Sequence, residues 1–501
     1  MSTTDRTVYG VLPNHVGGKR VEVASETRYP VYNPAFGSVI AEAPESGREH
    51  VVSAVDAAQG AFEKWSRVPV TERIKFLFRL ERLMNERLDE LAATITREHG
   101  KTISEARGEV LRAIENVEAA AASVYHIMGK NNIDISEGID EELYRVPIGV
   151  FGVVSPFNFP LMVPFWFIPY AIGLGNTVVV KPSEKTPVSM TLTARLFEEA
   201  GLPPGVVNVV NGGSKSVEAL LDNPEVKGIS FVGSTPVAEY IYTCATANHK
   251  RVQAGASAKN FEVVMPDADM SLVVPSLISS FFGNAGERCL AGSVLVTLPE
   301  NHERVLKQFV DAASKLRLGY GLEAGVDMGP LIRREHLERV KRYIEVGESE
   351  GAKLVLDGRS VRVTSYPHGF FLGPTVFDEV SADMKVAREE IFGPVASVMT
   401  VKSLDEAIEV INSSRFGNAA TIFTSSGNYA REFVSRVEAG NIGVNIGVAA
   451  PIAFYPFAGM KDSFFGDLHA QGGDDHIYFY TERKVVISRW SSPKQIIRSN
   501  K

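Results

Sequence analysis

The sequence predicts an α/β fold in which two mostly parallel sheets are covered by helices, with a small β arm beside them. Three observations carry this. Strand and helix patterns alternate from Val146 to about residue 256 and again from Ser271 to Ile446. Strands of the first stretch are apolar on both faces, as in a sheet with helices on each side. At 501 residues the chain is roughly two to four times the usual span of one domain, which allows two or three large cores.

From 47 to 125, apolar positions Val51, Val55, Ala58, Phe62 and Trp65 recur at spacings of three and four. Ile74, Phe78, Leu80, Leu83 and Leu88 continue the pattern, which predicts helical cover for a sheet. From 130 to 146 the period shortens, and NNIDISEGIDEELYRV reads as an exposed two-stranded element turning at Glu137-Gly138, an arm suited to reaching a partner chain. The stretch Val146 to Val180 contains no Asp, Glu, Lys or Arg and is long enough to cross a bilayer. Its prolines at 147, 156, 160, 164 and 169 break it into strand VPIGVFGVV, turn SPFNFP, helix-like LMVPFWFIPYAIGLG and strand NTVVVK, so it reads as a buried βαβ unit instead. Beyond it come a helix from Pro187 to Ala200, strand VVNVV, a helix near 215 to 222, strand GISFVG, a helix from Thr235 to His249 and strand VQAGA. The second stretch carries strands SVLVTL, ASVMTV, ATIFT and GVNIG. The last segment, ERKVVISRW, is a lone strand with nothing near it in sequence to pair with, and such a terminal strand commonly joins another subunit.

An apolar share of 45% against 22% charged residues marks an ordinary globular chain. A net charge of −8 lacks the basic excess that nucleic acid or an anionic membrane requires, so neither is an expected partner. Only Cys244 and Cys289 are present, too few for a secreted disulfide framework, and MSTTDRTVYG is polar and acidic where an export signal would be apolar. Both features point to the cytoplasm. No metal site is expected.

Cys289 lies in FFGNAGERCLAGS, where glycines at 283, 286 and 292 predict a bend that exposes the sulfur to a cleft. Arg288 beside it predicts a lowered thiol pKa and a reactive thiolate. A buried structural cysteine is the ordinary alternative, and Cys244, in the helix-like IYTCATA, takes that reading. Lys181 and Glu184 follow strand VVV, at the carboxyl end where open parallel sheets bind nucleotides; there Lys can donate to a ribose and Glu accept from it. No G-x-G-x-x-G fingerprint occurs. Instead Gly233-Ser234 open a helix after GISFV, so a phosphate would rest on N–H groups at that helix start. Taken alone, Lys181 and Glu184 have a solvated loop pair as their ordinary alternative, and Asn158, between Phe and Phe-Pro, reads as a turn residue.

The segments SPFNFP, VVVKPSEKTP, FVGSTPVA, FGNAGERC, EEIFGPV and PFAGMKDSFFG occur in an order and spacing that resembles the NAD(P)-dependent aldehyde dehydrogenase superfamily, and the likeness runs from about residue 30 to 490. Within it, NAGERC, AKNFEVVMPDAD and AFYPFAGMKDSFFGDLHA look most like the CoA-acylating methylmalonate-semialdehyde dehydrogenase branch. The resemblance implies a Rossmann-type NAD-binding domain (1–128 and 147–254), an α/β catalytic domain (255–450), and an oligomerisation arm with a C-terminal strand (129–146 and 470–501) in a homodimer or homotetramer. It implies that Cys289 adds to an aldehyde to give a thiohemiacetal. The Asn158 side chain and the Cys289 N–H would then form the oxyanion hole, in which one donor contributes roughly 3 to 4 kcal/mol. By the same resemblance Ser155, Phe157, Lys181, Glu184, Gly233, Ser234, Glu390 and Phe392 contact the cofactor, with Glu390 on the nicotinamide-side ribose and Phe392 against the ring region. Glu184 would hold the other ribose and repel a 2′-phosphate, so NAD is expected over NADP.

One departure bears on the reaction. Most superfamily members carry a glutamate in an ELGGK-type segment that activates water against the thioester; the matching stretch here is GASAK, with Gly255 at the glutamate position. Without that base, usually worth about 10²- to 10⁴-fold, the thioester is expected to await the thiol of coenzyme A and yield an acyl-CoA by ping-pong kinetics. Glu262 or Glu287 would replace the base only by reaching the water, and neither matches the family's position. Arg112 and Arg288 are expected to hold the carboxylate of a short semialdehyde, although Glu109 and Glu115 lie within a turn of Arg112 and are alternative partners for it. Phe157, Phe464 and Phe465 are expected to wall a small pocket. The implied activity is oxidation of malonate or methylmalonate semialdehyde with NAD and CoA, with decarboxylation, to acetyl-CoA or propionyl-CoA. Hydrolysis to a free acid is the enzymatic alternative, and a silent binding protein the other.

Overall fold

The computed structural model describes Asp5 and residues 7–490. Its largest sheet has eight strands, in the order Phe464–Phe465, Arg251–Gly255, Val226–Val232, Val150–Val154, Thr177–Lys181, Val207–Val209, Asn14–Val16 and Lys19–Val21. The five from Arg251–Gly255 to Val207–Val209 pair in parallel, and the flanking pairings are antiparallel. Side-chain alternation divides these strands between two cores. Val150, Val154 and Val179 pack with Val51, Val55, Ala58 and Ile241 on one face; Phe151, Val153, Val178 and Val180 pack with Leu77, Leu80, Ile114 and Val117 on the other. Helices therefore cover both faces: Arg48–Trp65 the first, and Val70–Glu86, Leu88–His99 and Ile103–Ala121 the second. Phe78, expected to share in this cover, points to solvent from the outer side of its helix.

The apolar stretch from 146 to 180 folds as strand, two short helices (Met162–Phe165 and Ile168–Gly173) and strand. Among the described residues no helix is long and apolar enough to cross a membrane. Val150–Val154 comes first in the chain among the five parallel strands, yet it lies between Thr177–Lys181 and Val226–Val232. The chain runs from it to Thr177–Lys181 and Val207–Val209 on one side and then returns to Val226–Val232 on the other, and a crevice opens at the carboxyl ends where Ser155, Lys181 and Gly233 stand.

A second sheet of seven strands runs Lys353–Leu356, Thr375–Asp378, Val395–Thr400, Gly292–Thr297, Asn260–Val264, Ala419–Phe423 and Asn441–Val444, parallel except at the Lys353–Leu356 edge. Its first strand, Asn260–Val264, is buried throughout and precedes the expected start at Ser271. Only residues 256–259 connect it to Arg251–Gly255, so the second sheet's loops form the far wall of the crevice.

Lys130–Ser136, Ile139–Pro147 and Thr481–Arg489 make a separate antiparallel sheet. This corrects the expectation of a lone terminal strand: Thr481 pairs with Pro147 and Arg489 with Ile139, a pairing between distant segments that no local pattern reveals. Residues 470–480, expected in the arm, pack instead on the first sheet, with Ala470, Phe479 and Tyr480 in its core. The remainder of that expectation, 491–501, lies outside the described residues.

Candidate active site

Cys289 follows a tight bend. Asn284 and Ala285, at φ 56° and 51°, are left-handed, and Gly286, at φ 73°, runs so close to Gly393 that a Cβ would come within 2.2 Å of its carbonyl oxygen. The Cys289 carbonyl accepts from the side-chain amides of Asn260 (2.9 Å) and Asn418 (2.8 Å), which hold the residue in place. Cys289 lines two large cavities at once, one in the crevice and one among the helices, and also a small pocket between them and Gly255.

The crevice-side cavity brings together Ser155, Phe157, Asn158, Lys181, Glu184, Gly233, Ser234, Glu390 and Phe392. Buried Lys181 donates to the Gly212 carbonyl at 3.1 Å and lies 3.6 Å from the Glu184 carboxylate. Burial opposes the Glu184 charge, but the Lys181, Lys185 and Arg333 charges prevail and hold its pKa below the ordinary value, so it is an acceptor at neutral pH. The helix start at Gly233-Ser234 offers fewer N–H groups than expected. The Thr235 N–H donates to Ser257 Oγ, residue 236 is proline, and the Val237 N–H donates to the Ser234 carbonyl. The turn meets the cavity through Gly233 and Ser234.

EEIFGPV is anchored by two side chains that sequence reading missed. His336 donates to the Phe392 carbonyl (2.6 Å), and Arg339 donates to the carbonyls of Ile391 (2.6 Å) and Glu390 (2.9 Å). Their i, i+3 spacing on the Arg334–Ser349 helix is the only trace of this in the sequence. Phe392, left-handed at φ 61°, meets Phe157 edge-on at 5.8 Å. Glu390 accepts the Ala258 N–H at 2.9 Å, and burial raises its pKa. Asn158 donates through Nδ2 to the Glu287 carbonyl at 3.0 Å, and its own carbonyl accepts from Lys101 Nζ at 2.7 Å. Lys101 forms a fully buried ion pair with Glu109 (2.7 Å), whose other oxygen accepts the N–H groups of Leu161 and Met162. That pair, also missed, holds the SPFNFP turn from beneath.

The helix-side cavity brings Arg112 and Arg288 together, walled by Phe159, Trp166, Tyr455 and Phe457. Both arginines hold carboxylates of the protein: Arg112 that of Glu115 at 2.7 Å, Arg288 that of Glu105 at 3.0 Å. The three phenylalanines expected to wall one pocket are separated. Phe157 lies on the crevice side, Phe464 lines the small pocket with Gly255, and Phe465 packs against Tyr242 on the opposite face. Neighbours on a strand point to opposite faces, so Phe464 and Phe465 do not share a pocket.

The thiol also departs from expectation. Burial, reinforced by the Glu390 charge, pushes the Cys289 pKa up to about 12, against smaller lowering effects from the N–H groups of Cys289 and Leu290 and from Arg288. Glu262 and Glu287 line none of the three cavities; Glu262 is sealed within the second sheet, and Glu287 lies under His99 (3.7 Å) and His336 (3.4 Å). The carboxylates that do line them are Glu105, Glu109, Glu115, Glu184 and Glu390, each engaged as described.

Residues 21–486 match the aldehyde dehydrogenase family. Malonate-semialdehyde dehydrogenase 2 of Geobacillus kaustophilus is 50% identical over 479 residues, spanning 96% of this chain and 99% of that one. The crystal structure of methylmalonate-semialdehyde dehydrogenase from Oceanimonas doudoroffii superposes with a TM-score of 0.94 at 42% identity, covering 98% of this chain and 100% of that one. A Sinorhizobium meliloti structure complexed with NAD gives a TM-score of 0.95 at 38% identity, covering 97% and 99%. A likeness that extends over nearly the whole chain settles its membership: this protein belongs to the aldehyde dehydrogenase family.

Proposed function

We propose that the protein oxidises malonate or methylmalonate semialdehyde with NAD and passes the acyl group to coenzyme A, releasing CO₂ and acetyl-CoA or propionyl-CoA. Gly255 carries the reading. It lines the small pocket beside Cys289, at the position where the hydrolytic pattern has a glutamate. A Cβ there would meet its nearest neighbour, Val232, at 3.4 Å, so packing does not demand a glycine. The Geobacillus and Oceanimonas relatives, named for malonate and methylmalonate semialdehyde, support the substrate class.

The Cys289 thiol gives up its proton to solvent in the cavities it lines as its sulfur bonds to the aldehyde carbon, and the carbonyl π pair moves to oxygen, whose charge rests between the Asn158 amide and the Cys289 N–H. Lys181, Glu184, Ser234 and Glu390 would hold NAD in the crevice-side cavity, where it would supply the acceptor for the hydride leaving that carbon. The side chains there suit it: Lys181 and Glu184 offer a donor and an acceptor for a ribose, and Glu184 disfavours a 2′-phosphate. Arg112 and Arg288 present guanidinium N–H groups to the substrate carboxylate. The small pocket beside Cys289 and Gly255 has no carboxylate in its lining, so a water there lacks a base, whereas a thiol is partly ionised near neutral pH. Loss of CO₂ from the β-carboxyl leaves an electron pair that the thioester carbonyl delocalises until the carbon is protonated.

The first sheet serves as the NAD-binding domain in this reading, the second as the catalytic domain, and the arm joins copies. Ile133 (77% exposed) and Ile487 (66%) leave apolar surface on the arm that a second copy would cover, in a homodimer or homotetramer. The free thiols suit a reducing compartment, the cytoplasm. The test is NADH formation from methylmalonate semialdehyde with and without CoA, followed by mass spectrometry of the product. Steady turnover is expected to require CoA and yield propionyl-CoA; turnover indifferent to CoA, or methylmalonic acid as product, overturns the proposal.

A further inference from the structure

Gln471 is a buried amide short of a partner. It is 4% exposed, and its Oε1 has no hydrogen-bond partner among the described residues. Leaving such a group unpaired is costly, which points to a ligand that completes it. Its backbone is held by the Phe457 N–H, which donates to the Gln471 carbonyl at 3.0 Å. Four residues line both the small pocket at Gly255 and the arginine-bearing cavity: Trp166, Cys289, Phe457 and Gln471. Gln471 alone among them combines a hydrogen-bond donor with an oxygen acceptor. Its amide overlooks the gap at residue 255, since a Cβ built on Gly255 would lie 3.6 Å from Gln471 Nε2.

We propose that Gln471 receives the thiol of the second substrate, coenzyme A, in the space that Gly255 leaves beside Cys289; this rests on the acylating reading given above. An amide does not titrate near neutral pH, so it is no base for water, yet its oxygen accepts an S–H and its nitrogen donates to a thiolate. In the step, the entering sulfur bonds to the acyl carbon, the carbon–Cys289 bond breaks, and the thiol proton ends on the Cys289 sulfur, with nothing oxidised or reduced. The residue is thereby specificity-determining: it orients a thiol and leaves water unactivated.

The test separates the half-reactions in the full-length enzyme by stopped flow, reading acylation as the NADH burst without CoA and acyl transfer as the CoA-dependent steady rate. Gln471→Leu is expected to lower the CoA-dependent rate at least about tenfold more than the burst rate. Gln471→Glu supplies both an acceptor and a base, and is expected to add CoA-independent NADH turnover that rises from about pH 6 to about pH 8. Equal losses in both phases, or unchanged acyl transfer in Gln471→Leu, overturn the inference alone while wild-type turnover still depends on CoA. Wild-type turnover indifferent to CoA overturns the acylating reading and this inference with it.

Discussion

The two cavities that meet at Cys289 are built by different means. On the crevice side the site residues stand at strand ends: Ser155 follows Val150–Val154, Lys181 closes Thr177–Lys181, and Gly233 follows Val226–Val232. Adjacent parallel strands bring those ends together as a consequence of sheet topology. The helix-side cavity is assembled from the Ile103–Ala121 helix, the Met162–Phe165 turn and residues 448–457, segments that no single rule brings together. On the proposed reading, nucleotide chemistry is thus bound to the fold, while substrate choice rests on loops and helix faces that can change independently.

The largest test of that division falls on the residue both cavities share. Cys289→Ser is expected to cut NADH formation by about 10⁴-fold or more, with NAD binding, followed by fluorescence, retained. Loss of binding as well would show that the cavities are not separable at this point. Next is the support beneath Asn158. Lys101→Met leaves the Glu109 carboxylate buried and uncompensated, which is expected to destabilise the protein by about 3–5 kcal/mol in urea unfolding. Replacing both residues by Met removes the stranded charge but leaves the Leu161 and Met162 N–H groups and the Asn158 carbonyl without these partners, so it should recover only part of that loss; a fully stable single variant would assign the turn's position to other contacts. A smaller and more selective effect is expected from Arg112→Ala. Removing a charge-assisted hydrogen bond of about 1.5–3 kcal/mol should raise KM for a carboxylated semialdehyde roughly ten- to hundredfold while barely changing that for propanal. Equal effects on the two substrates would take Arg112 out of carboxylate recognition.

The smallest effect concerns the thiol. Burial and, after it, the Glu390 charge hold the Cys289 pKa up, so Glu390→Gln should lower it. In a Cys244→Ala background, alkylation by iodoacetamide at about pH 8 is expected to accelerate several-fold, with the pH profile displaced toward lower pH. An unchanged profile would leave burial as the sole cause.

Legibility in the sequence follows the same division. The crevice residues were readable because strand, turn and helix signals are local and the motifs sit at strand ends. Arg112 and Arg288 were readable as cations, but their occupation by Glu115 and Glu105 was only half so: Glu115 lies one helical turn from Arg112, whereas Glu105 reaches Arg288 from a distant helix. His336, Arg339 and Gln471 carry no motif. Their parts in the site come from the segments they face, Phe392, Glu390 and Gly255.

The alternation of strands and helices, the bend before Cys289 and the missing carboxylate at residue 255 were determined by the sequence alone, because backbone sterics and side-chain identity act within a few residues. Tertiary structure alone decided that Thr481–Arg489 pairs with Ile139–Pro147, that Phe465 turns away from Phe464's pocket, and that burial outweighs Arg288 at the thiol. Each of these depends on which segments meet in space, and desolvation takes its value only once those surroundings are in place.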